Sequence, residues 1–283
     1  RYGEGMKQYI LHWERQNTKE IFGSLMTRTI DTGIRCASWT PLLLHLLAKE
    51  HIKEEELFEI LESMEQQFLY LYQSYVPKYR QSNWGVLQTT SILQNAAWFG
   101  ECFCLEEMKR IAEWAKDELL YQLESQIYGD GSHWEQSMMY HIEVLNSVTT
   151  MLVFRKRAGV ETSKRIEEIL YGMYDYVMHA AGPDHFQIAQ GDSDVTDIRD
   201  VMTRGAMLFE ESAFKYAGYE EPDLESIWCF GIEQKEQYLK LKSKQPETLN
   251  GLYTDSGNFY YRSGWEIDSN YTYLHNGPLG SSH

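Results

Sequence analysis

Residues 251–265 read GLYTDSGNFYYRSGW, in which aromatic and polar positions alternate around turn-forming residues. Half-buried antiparallel strands need this pattern, because successive side chains leave opposite faces of a sheet. Residues 270–275, NYTYLH, repeat it. Upstream the period changes. From Asp31 to about Ala217 apolar residues recur three and four apart, as in Leu57, Ile60, Leu61, Met64, Phe68 and Leu71, or Met108, Ile111, Ala112, Ala115 and Leu119. Short turns punctuate these runs at Gly129-Asp130-Gly131, Gly159 and Gly182-Pro183-Asp184. Many helices joined by short loops imply an antiparallel bundle, solenoid or toroid. The change of period falls at Lys242-Ser243-Lys244-Gln245-Pro246, a polar, proline-bearing linker. The expected organisation is a helical domain over 1–245 and the start of an antiparallel β domain over 246–283, too short to bury a core of its own and so read as cut inside that domain.

Composition narrows the function classes. The 283 residues carry 42 acidic and 26 basic side chains, a net charge of −16, which argues against a nucleic-acid surface or an anionic membrane as partner. No uninterrupted apolar run approaches a membrane span. Twenty tyrosines and eight tryptophans are a surplus that suits stacking on sugar rings, or equally a tyrosine-rich core. The four cysteines, Cys36, Cys102, Cys104 and Cys229, lack metal-site or disulfide-framework spacing and read as buried thiols. That reading favours a reducing, cytoplasmic setting. The sequence opens on Arg1 rather than Met, so a secreted or periplasmic protein with its leader removed is the alternative.

Several polar clusters interrupt the helical runs. In HWEQSMMYH, residues 133–141, a helix beginning near Ser132 would bring His133, Gln136 and Tyr140 to one face, as in a lined cleft. The same residues fit a plain helix start, with Ser132 as cap and Glu135 completing a capping box. Asn83-Trp84-Gly85 opens another run with Gln88 one turn inside, and Asn83 also suits an N-cap. Arg35 sits in IDTGIRCASW as either a snorkelling surface residue or a buried anion receptor. Asp192 and Asp194 in QGDSD suit acid–base or metal chemistry, and equally Asx-turns.

Taken in order, IDTGIRCASW, SNWG, DGSHWEQSMMYH, GDSD, YTDSGNFYYRSGW and GPLGSSH resemble the heparinase II/III-like polysaccharide lyases over most of the chain. The most specific pieces are EQSMMYH, similar to that family's Glu-x-Ser-x-x-Tyr-His helix, and DSGNFYYRSGW. The resemblance implies an (α/α) toroid of antiparallel helical hairpins, incomplete here, followed by the first strands of an antiparallel β-sandwich. It also implies β-elimination on a uronic-acid polysaccharide: the C5 proton is abstracted, the C4–O bond breaks and an unsaturated sugar remains.

By that resemblance Tyr140 is the proton-transfer group and Asn83 a donor to the uronate carboxylate. His283, the last residue of SSH, matches the first histidine of a late His-x-His-x-Asp loop. Trp84 stands where the family often has histidine, so no base is expected there. Arg35, Trp84, Gln88, His133, Glu135, Gln136, His141 and Asp192 are the candidate substrate-binding residues. No cofactor is implied within this chain; a structural zinc or calcium belongs to the β domain beyond it, and activity is expected to need that domain. Elimination needs donors aimed at the carboxylate as it becomes an enolate. A phenol whose reference pKa is about 10 acts as a base only where neighbours favour its ionised form. Two rivals remain at this level: a glycoside hydrolase using Glu135 with Asp192 or Asp194, and a glycan-binding protein without catalysis.

Overall fold

A computed structural model describes residues 2–17 and 28–280. Among these residues the chain forms eleven α-helices: α1 (Tyr2–Gln16), α2 (Thr29–Ala48), α3 (Glu54–Gln73), α4 (Asn83–Phe99), α5 (Glu107–Gln126), α6 (Met138–Arg157), α7 (Lys164–Ala180), α8 (Arg199–Phe209), α9 (Ser212–Ala217), α10 (Leu224–Phe230) and α11 (Ile232–Lys240). Three strands follow, β1 (Gly251–Tyr253), β2 (Asn258–Arg262) and β3 (Tyr271–His275). None of the described helices is long and apolar enough to cross a membrane. Two compact units result, one of Arg1–Gln122 with Phe154–Glu161, the other of Leu123–Val153 with Thr162–His283.

In the first unit the three-and-four spacing becomes burial: Ile60, Leu61, Met64, Phe68 and Leu71 of α3 point inward, as do Met108, Ile111, Ala115 and Leu119 of α5. Helix α4 is buried along most of its length, polar residues included. Most of those polar groups are paired, as buried donors and acceptors generally are. Thr40 Oγ1 donates to Asn95 Oδ1 at 2.6 Å, Gln94 Nε2 to Ala37 O at 2.9 Å, and Thr89 Oγ1 to Gln122 Oε1 at 2.8 Å. Gly33 lets α2 approach α4 closely, since a Cβ there would lie 2.9 Å from Leu87 O. The buried Lys7 ammonium ties α1 to Glu56 of α3 at 2.8 Å.

The cysteine reading needs correction. Cys36 and Cys229 are buried, but Cys102 and Cys104 are exposed in the loop after α4. Backbone polarity explains this: the Cys104 and Leu105 amides donate to Glu65 Oε1, an arrangement that fixes the loop through its main chain and leaves the thiols outside.

In the second unit β2 lies between β1 and β3, all antiparallel, in the order β1-β2-β3. The register sets Tyr260 opposite Gly251 and Tyr273, and Phe259 opposite Leu252 and Leu274. One face is therefore phenolic and polar. Tyr253 and Tyr260 pack edge-on against Tyr176 of α7, with ring centroids 4.7 and 5.8 Å away. The other face carries Leu252, Phe259 and Leu274 in a row, with Leu252 58% and Leu274 52% exposed. Arg262 closes the end of α7: its Nη2 donates to His179 O and Ala181 O, each at 2.8 Å, while the guanidinium lies 3.8 Å from the Trp265 ring centroid. A cation at a helix C-terminus meets the carbonyls that have no partner within the helix.

Candidate active site

The segment around Tyr140 is not helical where the spacing suggested. Gly131 takes φ 88°, and a Cβ there would meet Gly172 O at 2.4 Å, so the 129–131 turn requires glycine. The turn folds the chain back, pairing Ile127 with His133 in an antiparallel bridge, and Trp134 N donates to Gln126 O at 2.8 Å. Gln136 then adopts φ 55°, and α6 begins only at Met138. Ser132 therefore caps no helix. Its hydroxyl and amide instead bond Asp130 Oδ1, at 2.7 and 3.1 Å, while Asp130 Oδ2 accepts from Ser256 N at 3.0 Å.

The first turn of α6 is capped from a distant part of the sequence. Ser193 Oγ accepts from Met139 N at 3.0 Å and bonds Ser137 Oγ at 2.9 Å; Ser137 Oγ also reaches Asp192 O at 3.2 Å. Gly191, at φ 60°, presses on this turn, where a Cβ would stand 2.7 Å from Gln136 O. These contacts place the Asp192 carboxylate on Tyr140, whose Oη donates to Asp192 Oδ2 at 2.8 Å. Hydrogen bonding to Asp192 raises the phenol's pKa above its ordinary value, and desolvation and the charge of Glu135 push the same way. Tyr140 is part-exposed and Asp192 exposed.

Beneath this turn the polar side chains are internal. His133 Nε2 bonds Gln126 Oε1 at 3.0 Å, and its Nδ1 lies 3.4 Å from the donating Glu135 amide and 3.8 Å from Glu135 Oε2. His141 Nε2 donates to Met173 O at 3.1 Å, and its ring tilts over Tyr176 with centroids 5.0 Å apart. Burial holds both histidines neutral, taking His141 down to about 4 and His133 well below its usual value. Gln136 Oε1 accepts from Asn258 Nδ2 at 2.8 Å and Gln190 Nε2 at 3.3 Å. Gln190 Oε1 and Asn258 Nδ2 extend the network to Tyr260 and Tyr176, at 3.1 and 3.0 Å. His133, Glu135, Gln136 and His141 all have less than a tenth of their surface exposed. In this structure they brace the turn that presents Tyr140 rather than facing solvent.

Asn83, Trp84, Gln88 and Arg35 lie in the first unit. Ser82, not Asn83, caps α4, its Oγ accepting from Trp84 N at 3.3 Å; Asn83 is the first helical residue and is buried. Trp84 stacks on Tyr79, with centroids 6.1 Å apart and an angle of 24°. Gln88 donates to Thr29 Oγ1 at 3.1 Å, and its buried Oε1 has no partner among the described residues. Arg35 is part-buried. Its guanidinium lies 3.9 Å from the Trp13 ring centroid and donates to Gln67 Oε1 at 2.8 Å and Thr32 Oγ1 at 3.1 Å. His283 lies outside the described residues. Among those residues no group of three or more His, Cys, Asp or Glu side chains is placed to hold a metal ion.

The sequence reading missed Ser137, Ser193, Gln190 and Asn258, and gave Asp192 no link to Tyr140. Only the adjacent Asp-Ser in QGDSD hinted at a capping segment.

Three solved structures share the fold. The heparan sulfate lyase HepC from Pedobacter heparinus aligns over 100% of this chain and 42% of its own, at 20% identity and a TM-score of 0.70. A structure named Heparinase III aligns over 96% of this chain and 41% of its own, at 17% identity and a TM-score of 0.70. A heparinase III gene product aligns over 90% of this chain and 37% of its own, at 17% identity and a TM-score of 0.68. The chain thus spans about two fifths of the length of these structures, and at such identities the likeness establishes the fold, a mainly α chain running into antiparallel strands. A comparison with curated protein sequences gave no match. The family model described as Heparinase II/III N-terminus matches residues 4–216, a span that includes Asn83, Tyr140 and Asp192, and the chain belongs to that family.

Proposed function

We propose that the protein is a polysaccharide lyase that cleaves a uronic-acid-containing polysaccharide by β-elimination. The observation that carries this reading is the presentation of Tyr140: a part-exposed phenol on the first turn of a helix, hydrogen-bonded to Asp192, within the span matched by the family. Tyr140 moves protons between C5 and the C4 oxygen. Asn83 and His283 supply donors to the carboxylate as charge develops on it, where a fixed donor does most for the transition state. Trp84 and Arg35 contribute aromatic and cationic surface for an acidic glycan. The names of the heparan sulfate lyase and heparinase III structures put heparan-type chains first among substrates to try.

The carboxylates weigh against hydrolysis. Glu135 is buried beside His133, and Asp192 is engaged by Tyr140, so neither stands as a free acid with room for a water across a glycosidic bond. The test is absorbance near 230 nm, approximately where an unsaturated uronate absorbs, during proton abstraction from a panel of uronate polymers. Product mass complements it, since elimination adds no water. Tyr140→Phe should lose nearly all turnover while still binding polymer. Full activity in that variant, or a hydrated product, overturns the reading.

A further inference from the structure

A tyrosine that works as a base is expected to have cations or donors around its oxygen. The structure puts the Asp192 carboxylate on that oxygen. The contact is built rather than incidental: Ser137 and Ser193 bond each other, Ser193 caps α6 through Met139 N, Ser137 holds Asp192 O, and Gly191 fits under Gln136 O. Every one of these contacts fixes residues 191–193 against the turn that carries Tyr140, and the Asp192 side chain is what that segment delivers.

We propose that Asp192 is the positioning residue of Tyr140, receiving the phenol's own proton as Tyr140 removes the C5 proton of a uronate and giving it back when the C4 oxygen departs. The inference rests on the lyase reading above and deepens it. In the first half the C5–H bond breaks, its electron pair passes into the enolate, and the proton bonds to Tyr140 Oη. At the same time the original phenolic proton crosses the 2.8 Å hydrogen bond to Asp192 Oδ2. In the second half the enolate pair expels the C4 oxygen, which takes a proton from Tyr140 Oη while Asp192 returns its own. Protons and electrons balance with no added oxidant or reductant.

The relay resolves a conflict. Reference values set a phenol and a carboxylate about six pH units apart, so a free phenolate beside Asp192 would form rarely. Moving both protons together avoids that species. It also lets one phenol serve as base and then acid on a single face of the sugar, because Asp192 resets it without solvent. Glu135 also bears on Tyr140; it is buried beside His133 and disfavours the phenolate too.

The experiment compares full-length wild type with Asp192→Asn and Asp192→Glu. Asparagine keeps the shape and the backbone contacts but cannot take the proton. Asp192→Asn should lower kcat roughly a hundredfold, as loss of a proton-transfer partner does, with KM within about twofold and the acidic limb of the kcat–pH profile gone. Asp192→Glu should recover part of that loss. A 13C-NMR titration of the Tyr140 Cζ resonance, assigned by its disappearance in Tyr140→Phe, should show the phenol ionising at lower pH in Asp192→Asn than in wild type. Unchanged kcat and pH profile in Asp192→Asn, a change in KM alone, or an unmoved Tyr140 titration overturns the relay. A wild-type enzyme that forms no unsaturated product on any uronate polymer overturns the lyase reading instead, and the titration still reports on the Tyr140–Asp192 pair.

Discussion

Ser193 caps a helix from 54 residues beyond the amide it receives, its hydroxyl accepting from Met139 N at 3.0 Å. The start of α6 is thus a tertiary feature, and its stability depends on a side chain the local sequence does not contain. Ser193→Ala should destabilise the protein by about 1 kcal/mol, the usual cost of a lost cap. Because the same serine anchors residues 191–193, proteolysis at that segment should also accelerate. Denaturant unfolding and limited digestion measure the two effects.

The pair of buried histidines sets a pH limit on stability. Below 6.5 an unfolded chain protonates His141, whereas the folded chain resists protonation until about pH 4. The unfolded state therefore binds more protons in that window, and stability, complete above pH 6.5, declines as pH falls. The loss from His141 reaches about 3 kcal/mol by pH 4, and His133 acts in the same direction. Urea unfolding at pH 7 and pH 5 should show the decline, and His141→Gln should flatten it.

Arg262 fastens the strands to the end of α7. Arg262→Ala removes two charge-assisted hydrogen bonds from the His179 and Ala181 carbonyls and the stack on Trp265, at a cost of about 3 kcal/mol. Arg262→Lys should restore little of this, because an ammonium lacks the planar fork and the stacking surface. Thermal melts followed by near-UV circular dichroism, which reports on the tyrosine cluster, test both variants.

Asn83 heads α4 under a cap supplied by Ser82, so Asn83→Ala should leave the helix in place. On the lyase reading kcat falls roughly a hundredfold, as when a single oxyanion donor is lost. A rise in KM with kcat intact would make Asn83 a binding residue only.

Where short-range pattern fixes structure, the sequence was legible. Ile60, Leu61, Met64, Phe68 and Leu71 line the inner side of α3, and the 251–265 and 270–275 alternations are β1, β2 and β3. Where a long-range partner or an unusual backbone angle decides, it was not. The positive φ of Gln136 and the hydroxyl of Ser193 move the start of α6 past His133 and Gln136, two of the three residues that spacing had put on one helical face. Arg35 left surface or receptor roles open because its real neighbours, Trp13 and Gln67, lie on other helices. Asp192 looked like a turn former, and it lies in a bend; that its carboxylate meets Tyr140 follows from tertiary contacts.

The row formed by Leu252, Phe259 and Leu274 has a practical consequence at the bench. Beside it, among the described residues, β3 is an edge strand, and apolar surface next to such an edge invites self-association. Preparations of this polypeptide should therefore cloud at high concentration or in sulfate-rich buffers, and a lysine in place of Leu274 should keep them clear.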